Sequence, residues 1–317
     1  MSALSYQASA GPAISAIVVV SDRYDELKRI MQHLRKQTAA GQMEIVFVVN
    51  SRSQLPPDMS DLECFHSWCL VESGSIKSIG YGFTEGIRAA HAPVVALTED
   101  HSFPDEKWAE TFIKKHRGDW VVVGPCMLNG NPVNMLSLAD FYQAYGEWTR
   151  SPVTLAPSHL PGHNSSYKRQ ILLSFGEELE DLMHAESVMH RHLAAQGYKL
   201  LLAPETCTSH HNFATWRDWI PSRYLTGRLY AAVWSRNWSS SRRYFFACAS
   251  PLIPFIRLWR VGKTIRRRES PMKTALLIPP LFAGLVIEGF GQMLGYAFGA
   301  GNSAEKLARF EFNRIRK

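Results

Sequence analysis

Cysteine is scarce in this chain. Its 317 residues include five (Cys64, Cys69, Cys126, Cys207 and Cys248), scattered, odd in number and nowhere spaced as C-x-x-C. That excludes a zinc ribbon and a disulfide framework, and reduced, mostly buried thiols in a cytosolic setting are expected. The N-terminus "MSALSYQASAGPAIS" lacks a basic stretch followed by an apolar one, so it does not read as a signal peptide, and residues 1–12 read as a flexible tail. The glycine pair in "IGYGF" stops short of G-x-G-x-x-G, which leaves a dinucleotide fingerprint unsupported. Acidic residues are missing from one end. Residues 241–317 hold 14 Lys+Arg against 4 Asp+Glu, a net of +10, whereas residues 1–240 hold 21 against 24, a net of −3. The basic excess lies among long apolar segments, a pairing that favours an anionic membrane surface over nucleic acid.

What is present describes a folded protein: 46% hydrophobic and 20% charged residues, in a chain long enough for one large domain or two small ones. "AISAIVVV" (13–20) and "EIVFVV" (44–49) are short β-rich runs. Between them, "YDELKRIMQHLRKQ" (24–37) sets Leu27, Ile30, Met31 and Leu34 on one helical face. Strand–helix–strand order with continuous apolar strands predicts a parallel α/β sheet. A loop and helix, "SIGYGFTEGIRAAHA", feed the strand "PVVALT" (93–98), and a helix at 105–116 and the strand "WVVVGPCML" (120–128) continue the alternation. One helix is expected near 138–149. "YKRQILLSFG" and "DLMHAESVMHRHLAAQGYKL" read as helices, the second closing at Gly197, before a last strand "KLLLAP" (199–204). Sheets of this kind hold ligands at the carboxyl ends of their strands, and Glu99, Asp100 and His101 stand at such an end.

Two carboxylates and an imidazole at a strand exit suit a divalent cation that neutralises a diphosphate; oxygen ligands favour Mg²⁺ or Mn²⁺, and the imidazole tilts the choice to Mn²⁺. The plainer alternative is a pair of acids complementing a helix dipole. The order of motifs over residues 13–235 resembles the family-2 glycosyltransferases, inverting nucleotide-sugar enzymes of the GT-A fold. "VVVSDRYDE" matches that family's first strand and nucleotide loop. "FVVNSRS" matches its second strand end, with Asn50 where an acid is usual. "TEDHSFPDEKW" matches the metal-binding D-x-D before Pro and Trp, placing Glu99 and His101 in its slots. The resemblance implies a mostly parallel sheet flanked by helices and a nucleotide site at Ser21, Asp22 and Asn50. It also implies a metal site at Glu99, Asp100, His101 and His210 in "PETCTSHHNF". "LPGHNSSYKRQ" matches the acceptor-side segment, with His163 and Asn164 at the sugar and acceptor, and Glu186 falls on the catalytic-base position. Arg217, Arg223 and Arg228 are possible diphosphate contacts. Thr84 and Ala185 depart from the family's pattern, and no Q-x-x-R-W of a processive synthase is present.

Read without the family, Glu186 is an exposed helical acid paired with His190 at i+4, and His184, His190 and His192 form a solvated face. The end of the chain (236–317) reads as a membrane-associated helical region. "YFFACASPLIPFIRLW" (244–259) is too short for a span, while "ALLIPPLFAGLVIEGFGQMLGYAFG" (275–299) is long enough but carries Pro279, Pro280 and Glu288. Every flank is basic, so in-plane or re-entrant segments on the cytoplasmic leaflet satisfy the positive-inside tendency best, with a single C-terminal span or a soluble helical subdomain as alternatives. Glu288 should face protein, a headgroup or water. The expected activity is transfer of a sugar from a nucleotide-sugar donor to a hydroxyl, on a lipid-linked or membrane-delivered acceptor. The rivals are a catalytically silent sugar-nucleotide-binding scaffold and a metal-dependent hydrolase.

Overall fold

The computed structural model describes residues 11–20, 24–55, 59–149 and 157–312. The elements run β1 (Ile14–Val19), α1 (Tyr24–Arg35), β2 (Met43–Val49), β3 (Ser67–Glu72), α2 (Ile79–Ala89), β4 (Val94–Glu99), β5 (Ser102–Pro104), α3 (Trp108–His116), β6 (Trp120–Asn129) and α4 (Met135–Tyr145). They continue as β7 (Ser166–Lys168), α5 (Arg169–Leu173), α6 (Leu179–Leu182), α7 (Glu186–Ala195), β8 (Lys199–His210), α8 (Trp216–Trp234), α9 (Ser240–Ala249), α10 (Ile253–Arg268), α11 (Pro271–Phe298) and α12 (Ser303–Phe312). Two compact units result: Met1–Cys126 with Arg150–Ser209, and Met127–Thr149 with His210–Lys317. α4 and α8 belong with the C-terminal helices in the second of these units.

In the first unit the strand order is β3-β2-β1-β4-β7-β6-β8-β5. β1 runs parallel to β2 and β4, with Val19 level with Val48 and Glu99, so these strands finish together. β7 is antiparallel to both β4 and β6, which makes the sheet mixed. Each residue of β1, β2 and β4 is buried, explaining why their sequences show no alternation. Leu27, Ile30 and Leu34 of α1 join Ile45, Phe47 and Trp108 in the core. On α2, a Cβ at Gly86 would lie 2.3 Å from the Ile17 side chain, so this glycine sets how closely the helix meets β1.

Three local outcomes differ from the sequence reading. β8 does not stop at Pro204 but runs on to His210. α3 begins at Trp108 rather than 105, because the Asp105 carboxylate accepts the Thr206 hydroxyl at 2.7 Å and the Cys207 N–H at 2.7 Å, holding the strand exit against β8. The helix expected across 181–195 breaks at Met183–Ala185, so that Glu186 opens α7; Gly197, at φ 86°, ends the segment as anticipated.

The second unit is helical. α8 and α11 meet through glycines: a Cβ at Gly227 would lie 2.2 Å from the Glu288 carbonyl oxygen, at Gly291 2.2 Å from that of Tyr224, and at Gly295 2.3 Å from that of Arg228. α11 is continuous through Pro279 and Pro280, and the apolar 244–259 segment is divided between α9 and α10 by a turn at Ser250–Leu252. Glu288 faces protein. Its carboxylate pairs with Arg257, lies 3.8 Å from Arg223 and accepts from Gln143 at 2.7 Å, while Arg223 also reaches Asp140 at 2.9 Å. Burial raises the Glu288 pKa, but Arg257 and Arg223 outweigh it and hold the carboxyl below its ordinary value.

Candidate functional site

The carboxyl end of β4 delivers Glu99, Asp100 and His101, which are 9%, 4% and 3% exposed. His101 Nδ1 lies 3.0 Å from Asp100 Oδ1. A carboxylate only accepts, so Nδ1 carries a proton, which in the neutral ring leaves the lone pair on Nε2, the tautomer that ligates metals. Nε2 is 3.6 Å from Glu99 Oε2. Asp100 thus orients the ring, and Glu99 and His101 stand side by side at the strand exit.

The second half of the cluster is the turn Gly162–Asn164 between β6 and β7. His163 bridges two acids: Nδ1 lies 3.3 Å from Glu99 Oε1, and Nε2 pairs with Glu186. Its ring also packs on Phe83 at 5.1 Å between centroids. Burial lowers the His163 pKa, yet Glu186 and Glu99 overcome it and hold the imidazole well above its ordinary range. Gly162 is required at its position, since a Cβ would lie 2.5 Å from that of Glu186. Glu186 is buried at the first position of α7, where a carboxylate also meets the positive end of the helix. Asn164 is 1% exposed, and among the described residues neither its Oδ1 nor its Nδ2 has a hydrogen-bond partner. Such a group costs about 1–3 kcal/mol unless something satisfies it.

The remaining expected residues distribute as follows. Ser21 and Asp22 lie outside the described residues. Asn50, just past β2, uses Oδ1 to accept the Ile76 N–H at 2.6 Å, tying the strand exit to the segment before α2. His210, the last residue of β8 and the first of the second unit, is buried; its Nδ1 is 3.0 Å from Asn212 Oδ1 and its ring lies 4.6 Å from Tyr145. Arg217 is exposed on the first turn of α8. Arg223 is buried in the ion network, and Arg228 donates to the Gly299 carbonyl at 2.9 Å, so these two guanidiniums are engaged within the helical unit. The histidines of α7 are not one solvated face: His192 is exposed, but His190 is fully buried, and burial, helped by His159 and Arg191, pushes its pKa down to about 3. It does not pair with Glu186. Nothing in the local sequence distinguishes the two imidazoles except that His190 stands one turn from Glu186, on the inward side.

No family model and no curated protein matches the sequence. Solved structures do resemble the fold. The mannosyltransferase PcManGT from Pyrobaculum calidifontis, in complex with GDP-Man and Mn²⁺, superposes with a TM-score of 0.55 at 14% identity, over 90% of this chain and 88% of that one. GalNAc-T7 with UDP, GalNAc and Mn²⁺ gives 0.50 at 13% identity, over 76% of this chain and 51% of the other. The fold is that of the GT-A glycosyltransferases. It is a mixed, eight-stranded sheet flanked by helices, and the acidic exit of β4 lies at the carboxyl ends of its parallel strands.

Proposed function

We propose that this chain is an inverting glycosyltransferase that moves a sugar from a nucleotide-sugar donor to a hydroxyl, with Glu186 as the general base. The observation that carries this reading is the buried Glu99–His163–Glu186 link: a cation-type acid pair at a strand exit and a separate carboxylate, joined by one imidazole. Glu186 takes the proton of the acceptor hydroxyl as its oxygen bonds to the anomeric carbon, from the face opposite the bond to the diphosphate. That bond breaks with its electron pair on the departing phosphate, and the anomeric configuration inverts. His163 and Asn164 line the sugar and acceptor side, and the unsatisfied Asn164 amide is a ready partner for sugar hydroxyls.

Glu99 and His101 are residues that would hold a divalent cation, and His210 is assigned to it from the family's motif order alone. All three are buried, and one carboxylate with two imidazoles is a donor set suited to Mn²⁺. When bound, the cation supplies Lewis-acid neutralisation of the leaving diphosphate. Asp100 keeps His101 in its ligating tautomer, and Arg217 is the arginine we retain for the diphosphate. Ser21, Asp22 and Asn50 are assigned to the nucleotide.

We also propose a membrane-delivered, lipid-linked acceptor, met on the cytoplasmic leaflet. α11 is long and apolar enough to cross a membrane. A span would carry the Glu288, Arg223, Arg257 and Asp140 network, near the middle of that helix, to bilayer depth, where charges are costly. An in-plane helix avoids this. Its outer face is apolar throughout, with Met272, Leu276, Pro279, Val286, Phe290 and Phe298 exposed at helical spacing, and Phe255, Ile256 and Trp259 of α10 are exposed too. Arg266, Arg267 and Arg268 close α10 for anionic headgroups.

The test is label transfer from a donor panel that includes GDP-mannose and UDP-GalNAc, with Mn²⁺ and a polyprenyl-phosphate or glycolipid acceptor. Labelled lipid made by the wild type and not by Glu186→Gln supports the transferase. Free sugar as the sole product would favour the hydrolase, and equal inertness of both proteins would favour the silent scaffold.

A further inference from the structure

α7 grips the turn at 162–164 twice, and the second grip has no part in the chemistry above. His190, one turn after Glu186, is 0% exposed. Its Nδ1 accepts the Leu160 N–H at 3.1 Å, so the proton of the neutral ring sits on Nε2. Nε2 lies 3.0 Å from the Tyr167 hydroxyl and donates to it; the hydroxyl in turn donates to the Gly162 carbonyl at 3.0 Å. The two rings stack at 5.7 Å between centroids. The neutral state agrees with a pKa pushed down to about 3. Tyr167 is fully buried and sits in β7, paired with Val95 of β4 and Val122 of β6. The chain of bonds therefore runs from the sheet through Tyr167 to Gly162, and through His190 to the helix that carries Glu186. Gly162 is the residue whose missing Cβ leaves room for the Glu186 side chain, and His163 follows it.

We infer that His190 and Tyr167 form a latch that positions Glu186 and the acceptor-side turn relative to each other. Neither is a catalytic residue; both act through the 160–164 segment. The inference rests on the reading of Glu186 as the base, and it explains why a histidine is buried without a metal or a charge to hold.

Two measurements on the full chain test it. In hydrogen exchange, Tyr167→Phe keeps the ring and removes the hydroxyl. The latch requires the amides of Leu160, Asn164 and Ser165 and the first turn of α7 to exchange about tenfold faster, the loss expected for one or two hydrogen bonds, with β1 and β2 unchanged. His190→Leu should do the same. Unchanged protection at 160–165 would overturn the latch, as would a uniform loss across the sheet, which marks a plain packing role. In donor turnover with GDP-mannose or UDP-GalNAc and Mn²⁺, Tyr167→Phe should lower kcat about tenfold or more with donor KM unchanged, and cost nothing further in a Glu186→Gln background. Additive losses contradict the latch while leaving the base reading intact. A fully active Glu186→Gln defeats the base reading, whatever the exchange data show for the latch.

Discussion

In the helical unit, Asp140 and Glu288 are buried against Arg223 and Arg257; in the sheet unit, Glu99, Asp100 and Glu186 are buried against His101 and His163. Both arrangements compensate acids with bases, but the bases differ. Guanidinium does not give up its proton, so Arg223 and Arg257 stay charged and offset the acids around them. Imidazole does titrate, so the base that faces Glu99 and Glu186 can take up or release a proton. We read the first as a device that holds helices together and the second as one that a ligand completes. Buried acids are thus not a site by themselves; the identity of the counter-base separates structure from chemistry.

The largest effect should come from the sheet unit. Glu186→Gln should reduce transfer by about 10²–10⁴-fold with donor binding retained, the range for loss of a general base, measured as initial rates against donor titrations. Glu288→Gln should act oppositely. It leaves the buried Arg223 and the half-buried Arg257 guanidiniums under-compensated and should cost about 3–5 kcal/mol of stability in urea melts, while the activity of the molecules that remain folded is unchanged. A Glu288→Gln chain that is stable and inactive would erase the distinction between the two networks.

Replacing Arg266, Arg267 and Arg268 together by Gln should weaken sedimentation with phosphatidylserine-containing vesicles by about 10²-fold, at roughly 1 kcal/mol per charge, and leave binding to pure phosphatidylcholine vesicles unaltered. The smallest effect is in the pH dependence. His163 titrates above its ordinary 6.5, so its contribution is complete below that value and is lost as pH rises through the raised folded pKa. Glu288 titrates below its ordinary 4.5, so its contribution is present above that value and is lost as pH falls through the depressed one. Metal-free protein should therefore lose stability on the alkaline side with a slope of at most about 1.4 kcal/mol per pH unit, and His163→Asn should abolish that slope alone.

Much of this was legible beforehand. Continuous β-branched runs announced β1, β2 and β4 because strands buried on both faces need no polar residues, and the abrupt end of β4 at Glu99 falls level with the end of β1. The expectation that Glu288 faces protein, a headgroup or water, drawn from the cost of a charge in hydrocarbon, is met by the first of these in its ion network. What escaped depends on partners far along the chain. β3 is half-exposed at the sheet edge, and β5 and β7 have three residues each, too few for a period. Pro204 looked like a strand end, yet β8 continues past it. α4 and α8 join the C-terminal helices through contacts such as Gly227 on Glu288 that no local window contains. His190 and His192 differ in burial by their direction around one helix, and the break at Met183–Ala185 that fixes this direction leaves no mark in the sequence.

Pulsed electron paramagnetic resonance of bound Mn²⁺ tests the cation site most directly. The account requires one tightly bound ion with ¹⁴N couplings from two imidazoles, one lost in His101→Ala and the other in His210→Ala. An ion showing no nitrogen coupling, or couplings unchanged in both variants, would contradict it.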